Sequence, residues 1–238
     1  MNDLIIEETV DALTQRMAAH LVAIVQETLV GHDRFCWALS GGDTPRGLYE
    51  TLASPPFAAA IDWSRMWIFW GDERPVPPEH KDSNYRLAEE TLLSRVRIPP
   101  IQIFRMRGEL PPAEAAADYQ QQLQDVFGAR ALPRFDLIHL GLGPDGHTAS
   151  LFPGTPGLAV KDRWVIANRV NALNTTRITL TLPVLNAARR VWFLAAGAKK
   201  AEAFARVRYT PDSQYPASLV HPAGELRWYV DQAVVQGA

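Results

Sequence analysis

The chain has 238 residues, of which 47% are hydrophobic and 21% are charged, and its formal net charge is -2. This is an ordinary globular composition, and the nearly balanced charge argues against nucleic acid or an anionic membrane as a partner. The single cysteine, Cys36, excludes an internal disulfide and is expected to be a small buried residue, and no apolar run is long enough to span a bilayer. We therefore expect one cytoplasmic domain over residues 1–238, as a monomer or a small homo-oligomer.

Helical periodicity and short apolar runs alternate along the chain. In chain order they predict a helix from about Glu7 to Val30, a strand over Arg34–Ser40, a helix starting at Thr44-Pro45, a strand over Met66–Trp70, a helix from about Ser83 to Val96, a short strand over Ile101–Phe104 and a helix over Pro112–Phe127. They then predict strands over Phe135–Leu140, Trp164–Val170, Arg177–Leu182, Val191–Ala195 and Leu226–Val230, with a helix from about Ala198 to Val207. Buried strands that alternate with helices are typical of a mainly parallel sheet covered on both faces. In such sheets ligands bind beyond the carboxyl ends of the strands, so the loops that follow strands are the candidates for function.

The first of these loops runs from Ser40 to Pro45 and joins a buried strand to a helix. Its two glycines, Gly41 and Gly42, let the backbone approach a ligand, and the free N–H groups of a helix start favour an anion. Thr44 is the predicted N-cap, and together with Ser40 it adds hydroxyl donors. An ordinary tight turn before a capped helix explains this local sequence equally well. No Gly-Lys-Ser/Thr follows, which excludes a Walker loop.

A charged loop, Gly71–Arg74, directly follows the second buried strand. A solvated loop is the usual explanation of such a charge cluster. Its position at the end of a strand nevertheless favours a functional role for Asp72 and Arg74. The segment Ser83–Tyr85 most simply caps the next helix.

The loop Gly141–His147 follows a third strong strand and formally matches the dinucleotide-binding pattern Gly-x-Gly-x-x-Gly. That pattern requires an acidic residue at the end of the next strand, whereas Asp162 precedes the strand Trp164–Val170, so we reject a dinucleotide site. What remains is Asp145, two residues before His147, in a glycine-rich loop. A histidine acts as a general base near neutral pH because its unperturbed pKa is about 6.5, although a lone loop histidine is more often a solvated side chain.

Two cations complete the set of candidate residues. Arg177 lies at the start of a predicted strand, and Lys200 belongs to a lysine pair that opens a helix after Gly197. Cations at a helix start oppose the helix dipole unless an anion lies nearby, although a solvated helix end fits about as well. The sequence contains no Gly-x-Ser-x-Gly elbow, no His-Glu-x-x-His and no clustered Cys/His spacing, so we expect no metal site.

These segments resemble the 6-phosphogluconolactonases, in the same order and over most of the chain. The motifs that carry the resemblance are Leu39–Pro45, Gly71–Arg74 with Ser83-Asn84, Leu140–Pro153, Arg177–Thr181, Gly197–Ala201, Pro216–Val220 and Leu226–Trp228. The family often has serine at the position of Asp43 and a less rigid residue at that of Pro144. The resemblance implies a Rossmann-like, three-layer α/β fold with a mainly parallel central sheet, related to the sugar-phosphate deaminases. It also implies hydrolysis of a small phosphorylated sugar lactone, 6-phosphogluconolactone, in the oxidative pentose phosphate pathway, with no cofactor and no metal.

The resemblance further implies a role for each candidate residue. His147 would remove a proton from the water that attacks the lactone carbonyl. Arg74 would stabilise the developing oxyanion or orient the lactone, and Asp72 or Asp145 would orient His147 or the sugar hydroxyls. The residues implied to bind the 6-phosphate are Ser40, Gly41, Gly42, Thr44, Arg177 and Lys200.

Two alternative functions remain open at this point. A glucosamine-6-phosphate deaminase or isomerase would use the same phosphate loop, but such enzymes typically continue after the histidine with Ala-Phe-Asn-Glu, which the segment Thr148–Phe152 lacks. A sugar-phosphate-sensing domain of a transcriptional regulator would need an attached DNA-binding module. We expect none, because the chain opens with one long helix followed by a strand.

Overall fold

The structure is a computed structural model that describes residues 2–237. Its strands are β1 (Asn2–Glu7), β2 (Phe35–Leu39), β3 (Met66–Trp70), β4 (Asp72–Glu73), β5 (Leu137–Gly141), β6 (Val165–Val170), β7 (Thr175–Leu180), β8 (Arg190–Ala195) and β9 (Glu225–Asp231). Its helices are α1 (Val10–Gly31), α2 (Asp43–Leu52), α3 (Phe57–Ala60), α4 (Asn84–Thr91), α5 (Pro112–Phe127), α6 (Leu182–Ala187), α7 (Ala201–Tyr209) and α8 (Gln232–Gln236). Within residues 2–237, no helix combines the length and the apolar character that crossing a membrane requires.

The central sheet has six strands in the order β1-β9-β8-β5-β2-β3, and every pairing between neighbours is parallel. Successive residues of a strand point to opposite faces, so each strand contributes to two cores. Trp37 and Leu39 of β2 pack with α1, α2 and α4, whereas Cys36 and Ala38 pack with α5 and α7 on the other face. The predicted three-layer α/β fold with a mainly parallel central sheet is confirmed.

A second, three-stranded sheet has the order β4-β7-β6, and its pairings are antiparallel. The predicted strands Trp164–Val170 and Arg177–Leu182 exist as β6 and β7, but they lie outside the parallel sheet that the alternating pattern predicted. A turn over residues 171–174 joins them, and Asn174 adopts a positive φ of 45° there. A connection this short allows only an antiparallel hairpin, because a parallel crossover needs a dozen or more residues.

The two sheets meet at Gly71, the single residue between β3 and β4. Its N–H donates to the carbonyl of Leu39 in the central sheet, and its carbonyl accepts the N–H of Leu180 in the second sheet, both at 2.9 Å. The chain therefore leaves the central sheet at the carboxyl end of β3 and carries Asp72 and Glu73 into the second sheet.

The start of the chain differs from the prediction of a helix from about Glu7. Residues Asn2–Glu7 form β1, which pairs with β9 at the edge of the central sheet. Helix α1 begins only at Val10, and Thr9 caps it by accepting the N–H of Ala12 at 3.2 Å. Local periodicity could not detect β1, because the strand is specified by pairing with residues more than two hundred positions away.

The segment Ile101–Phe104 is not the predicted strand. It contains a 3₁₀ turn over Pro100–Gln102 and a single β-bridge between Ile103 and Ile68. Proline has no N–H to donate to a strand ladder, and Pro99 and Pro100 precede this segment directly. By contrast, the predicted strand at β3 and the predicted helix at α5 have the predicted bounds.

His139 of β5 is a buried, neutral histidine. Its exposed fraction is 2%, and its ring lies between the indoles of Trp37 and Trp192. The indole N–H of Trp37 donates to its Nδ1 at 3.2 Å, and Nε2 has no partner within the described residues. Burial lowers the pKa of His139 to about 3. The folded protein therefore binds no proton here at a pH where the unfolded chain does.

We expect the free energy of unfolding to decrease as the pH falls from 6.5 towards 3, since the unfolded state binds more protons in this window. The slope from this one group approaches about 1.4 kcal/mol per pH unit. A His139→Gln variant retains an acceptor for Trp37 but does not titrate, so its stability should depend less steeply on pH. Urea unfolding of both proteins at pH 7, 6 and 5 measures the difference. Parallel pH dependences for the two proteins would contradict this account.

Candidate active site

A histidine and a carboxylate form a close pair in the loop that follows β5. Nδ1 of His147 lies 2.5 Å from Oδ1 of Asp145, and the backbone N–H of His147 donates to the same oxygen at 3.2 Å. The ring stacks on Phe152 with 4.1 Å between centroids. An ionised carboxylate only accepts hydrogen bonds, so Nδ1 carries a proton. In the neutral imidazole, Nε2 then has the free lone pair that a general base requires.

The carboxyl of Asp145 is held ionised by its partner. Partial burial opposes ionisation, but the hydrogen bonds from His147 outweigh it, and the pKa of Asp145 is lowered. Sequence left open whether Asp72 or Asp145 supports His147. In the structure His147 donates its hydrogen bond to Asp145, and no hydrogen bond joins Asp72 to His147 among the described residues.

Two glycines allow this loop to close on itself. A Cβ at Gly143 would lie 2.0 Å from Nδ1 of His147 and 2.6 Å from Oδ1 of Asp145, so any side chain there would displace the pair. The N–H of Gly143 also donates to the carbonyl of His147 at 2.8 Å. Gly146 has a φ of 78°, and a Cβ there would lie 2.3 Å from the ring of Tyr215. The glycines that superficially indicated a dinucleotide site therefore serve the geometry of the histidine loop.

Asp72 is buried and is held by hydrogen bonds from two sides. Its Oδ2 accepts the hydroxyl of Ser150 at 2.6 Å, and its Oδ1 accepts Nδ2 of Asn84 at 3.3 Å. Each carboxylate oxygen still has a lone pair available, since one donor reaches each. Asp72 is therefore oriented but not saturated.

The neighbouring Glu73 is a buried carboxylate that fixes the start of α4. Its donors are the backbone N–H groups of Arg74 (2.7 Å), Asn84 (2.8 Å) and Tyr85 (2.8 Å) and the hydroxyl of Ser83 (3.1 Å). Burial raises the pKa of Glu73, against the effect of these hydrogen bonds. The predicted capping role of Ser83 is also present, since its hydroxyl accepts the N–H of Arg86 at 3.2 Å. Glu73 thus places both Arg74 and Asn84.

The glycine turn after β2 leaves donors free. The hydroxyl of Tyr49 accepts the N–H of Ser40 at 3.1 Å and donates to its carbonyl at 2.7 Å, which fixes the turn from below. The N-cap of α2 is Gly42, with a φ of 103° and no side-chain cap, rather than the predicted Thr44, which lies inside the first turn. The hydroxyl oxygen of Ser40 is buried and has no partner among residues 2–237.

Most of the predicted residues line one cleft of about 180 Å³ at the carboxyl ends of β2 and β5. The predicted residues in its wall are Ser40, Gly41, Gly42, Asp72, Arg74, His147 and Lys200. Asp145 adjoins the cleft through its hydrogen bond to His147. Thr44 and Arg177 are not part of the wall.

Two cations, Arg74 and Lys200, line this cleft, and a third, Arg177, interacts with Arg74 without lining it. Nζ of Lys200 donates to the carbonyl of Leu142 at 2.5 Å, and burial lowers the pKa of Lys200, with Asp145 opposing. Burial, and next the positive charge of Arg74, lower the pKa of Arg177. Nε of Arg74 and Nε of Arg177 are both buried without a hydrogen-bond partner in the described part of the chain. A phosphate would supply the missing acceptors.

Three residues of the site were missed by the interpretation of the sequence. Asn84 lines the cleft, although it was interpreted only as part of a helix cap. Ser150 binds Asp72, and Ala149, which also lines the cleft, has a positive φ of 46°. The Ser83-Asn84 pair after a charged strand end was the available signal for Asn84. No group of three or more His, Cys, Asp or Glu residues that could hold a metal is found within residues 2–237.

Comparison with known proteins finds relatives over nearly the whole length of the chain. The family model described as glucosamine-6-phosphate isomerases/6-phosphogluconolactonase matches residues 8–228. The 6-phosphogluconolactonase of Synechocystis sp. is 41% identical over 235 residues, which cover 96% of this chain and 92% of the relative. The 6-phosphogluconolactonase of Rattus norvegicus is 37% identical, with 93% of this chain and 90% of the relative covered.

Several solved structures have the same fold over nearly the whole chain. The structure of a devB protein superposes with a TM-score of 0.91 at 35% identity and covers 99% of both chains. The 6-phosphogluconolactonase of Thermotoga maritima has a TM-score of 0.85 at 28% identity, covering 98% of this chain and 100% of that one. A monomeric glucosamine-6-phosphate deaminase has a TM-score of 0.82 at 18% identity, with 99% and 100% covered, and this likeness shows the fold alone.

Proposed function

Because the chain belongs to the family of glucosamine-6-phosphate isomerases and 6-phosphogluconolactonases, we propose that it opens the ring of 6-phosphogluconolactone by hydrolysis, with His147 as the general base. Within the family its enzyme class is that of the lactone hydrolases, since its relatives over nearly the whole chain are 6-phosphogluconolactonases. The observation that carries the proposal is the hydrogen bond between Asp145 and His147, which lies in the wall of a cleft that Arg74 and Lys200 also line.

In the proposed reaction, Nε2 of His147 takes a proton from a water whose oxygen bonds to the lactone carbonyl carbon. The pKa of Asp145 is lowered, so its carboxylate is ionised and stabilises the imidazolium that forms. When the tetrahedral intermediate collapses, the bond from the carbonyl carbon to the ring oxygen breaks, and the imidazolium returns its proton to that oxygen. The product is the open-chain acid, and the histidine is regenerated.

The remaining groups stabilise charge and orient the sugar. Arg74 is held by a hydrogen bond from its guanidinium to the carbonyl of Asp82 at 2.5 Å, and its charge faces the cleft in which the oxyanion develops. Asp145 already supports His147, so we assign Asp72 to the sugar hydroxyls, which its free lone pairs accept.

We assign the 6-phosphate to the turn Ser40–Gly42 together with Lys200 and Arg177. The start of α2 presents backbone N–H groups without a side-chain cap, and the dipole of this helix favours an anion there. Lys200 donates one of its three ammonium hydrogens to the carbonyl of Leu142, which leaves two for a phosphate. Arg177 would regain the acceptor that its buried Nε lacks.

Replacing Lys200 by Met should raise KM for 6-phosphogluconolactone by roughly 10- to 100-fold, since hydrogen bonds to charged groups contribute about 1.5–3 kcal/mol. The rate on glucono-δ-lactone, which has no phosphate, should change little. The neighbouring Lys199 is exposed, so Lys199→Met is the matched control and should behave like wild type with both lactones. Equal losses of Lys200→Met on both substrates would contradict the phosphate assignment.

The function itself is tested with freshly generated 6-phosphogluconolactone, measured against its spontaneous hydrolysis, with glucosamine 6-phosphate in a parallel assay. We expect a large acceleration of lactone opening and no release of ammonia from the amino sugar. A lactone rate equal to the spontaneous one, or clear ammonia release, would overturn the proposal.

A further inference from the structure

The amide of Asn84 is a buried group that the proposed reaction does not use. The residue is 2% exposed, yet it lines the cleft. Its Nδ2 donates to the backbone carbonyl of Asp72 at 2.9 Å and to the Oδ1 of Asp72 at 3.3 Å. Both hydrogen bonds of this amide nitrogen therefore go to one residue, and they fix the direction of the Asn84 side chain.

The oxygen of the same amide faces the glycine turn after β2. A Cβ at Gly41 would lie 1.8 Å from Oδ1 of Asn84 and 2.3 Å from its Cγ. This Oδ1 is buried and has no hydrogen-bond partner among residues 2–237. The amide thus occupies the space that a side chain at position 41 would need, while its nitrogen binds Asp72.

A capping role does not explain Asn84. Ser83 is the N-cap of α4, and its hydroxyl accepts the N–H of Arg86. The backbone N–H of Asn84 is bonded to the carboxylate of Glu73 at 2.8 Å. The side chain of Asn84 therefore does not cap the helix. A buried amide with one unsatisfied atom lowers the stability of the fold, which favours a functional reason for its presence.

We propose that Asn84 is a positioning residue that fixes the carboxylate of Asp72 relative to the turn at Gly41, and so sets the spacing between the sugar-hydroxyl site and the phosphate site. This inference rests on the proposed function, in which Asp72 accepts sugar hydroxyls and the turn binds the phosphate. Ser150 holds the other oxygen of Asp72, so loss of Asn84 frees one side of the carboxylate and leaves the other attached. Asn84 acts on the substrate only through Asp72 and Gly41.

The test compares Asn84→Ala with wild type on 6-phosphogluconolactone and on its analogues that lack the hydroxyl at C2, C3 or C4. Wild type should discriminate against the analogue that lacks the hydroxyl bound by Asp72, by about 10- to 100-fold in kcat/KM. Asn84→Ala should lose about 10- to 100-fold on the parent lactone, mainly through KM, because misplacement by about 1 Å costs that much. Its discrimination between parent and analogue should fall to about threefold or less.

A merely structural role gives a different result. Asn84→Ala would then lose activity equally on all the lactones and keep the wild-type discrimination, which overturns the inference. Gln102→Ala is the matched control, because it removes a buried amide that binds Ser64 near the amino end of β3. It should lower thermal stability and leave the discrimination unchanged. If wild type does not hydrolyse the lactone at all, the proposed function fails rather than this inference alone.

Gly41→Ala supplies an independent variant that acts on Asn84 from the opposite side. Its Cβ needs the space of Oδ1, so it should reproduce the loss of discrimination. Combined with Asn84→Ala, it should add no more than about threefold to the loss, since contacting residues are non-additive. Full additivity of the two losses, with melting temperatures close to wild type, would contradict a shared role.

Discussion

A His147→Gln variant should fold like wild type and lose about 10³-fold or more in kcat for 6-phosphogluconolactone. Glutamine has no group that takes a proton near neutral pH, and general base catalysis contributes about 10²–10⁴-fold. The histidine side chain is 29% exposed, so the replacement should not disturb the core. Turnover is measured after subtraction of spontaneous hydrolysis, and the melting temperature is measured on the same preparation.

The matched variant for this prediction is Asp145→Asn. The amide retains a partner for Nδ1 but removes the charge that stabilises the imidazolium, so kcat should fall by an intermediate factor, about 10²-fold. Full turnover by a well-folded His147→Gln enzyme would remove the general-base assignment, whatever Asp145→Asn does.

The second large effect is expected from a single added methyl group. In Gly143→Ala the new Cβ would lie 2.0 Å from Nδ1 of His147, so the contact between His147 and Asp145 cannot persist in its present geometry. We expect kcat to fall by about 10²-fold, because displacement of a catalytic group by about 1 Å has effects of that size. The measurement is kcat together with the melting temperature, which should change far less.

Gly31→Ala is the control for this substitution. Gly31 ends α1, has no atom within 4 Å of an added Cβ, and lies outside the cleft. Its activity should match wild type. A Gly143→Ala enzyme with wild-type kcat would show that the hydrogen bond between His147 and Asp145 is not needed for turnover.

The sequence predicts the helices and strands that are specified by the residues within them. The helix Pro112–Phe127 has its own periodicity and a proline start, and the strand Met66–Trp70 is a continuous apolar run, so both bounds agree with the structure. The edge strand β1 was missed because its partner β9 lies at the other end of the chain. Strands β6 and β7 were predicted at the correct positions but in the wrong sheet, because an apolar run does not show which strand it pairs with.

The site was predictable to the extent that it follows from topology. Loops after parallel strands meet at one edge of a sheet, and that rule alone brought together His147, Asp72 and the Ser40–Gly42 turn. Sequence could not predict which of Asp145 and Asp72 bonds to His147, since this depends on a 2.5 Å contact within a folded loop. The position of Asn84 in the cleft was not predicted for a similar reason, because it depends on packing against Gly41.

The step at Gly71 from the central sheet to the second sheet divides the residues of the candidate site between two sheets. The pair of His147 and Asp145 follows β5 of the central sheet, whereas Asp72 belongs to β4 of the second sheet and pairs with Thr179 of β7. The positions of His147 and of the turn Ser40–Gly42 therefore depend on the central sheet, whereas those of Asp72 and Arg74 depend on the second sheet. Ser150, three positions after His147, bonds to Asp72 and to Thr179 of β7, so a shift of the β6–β7 hairpin would reach both parts of the candidate site.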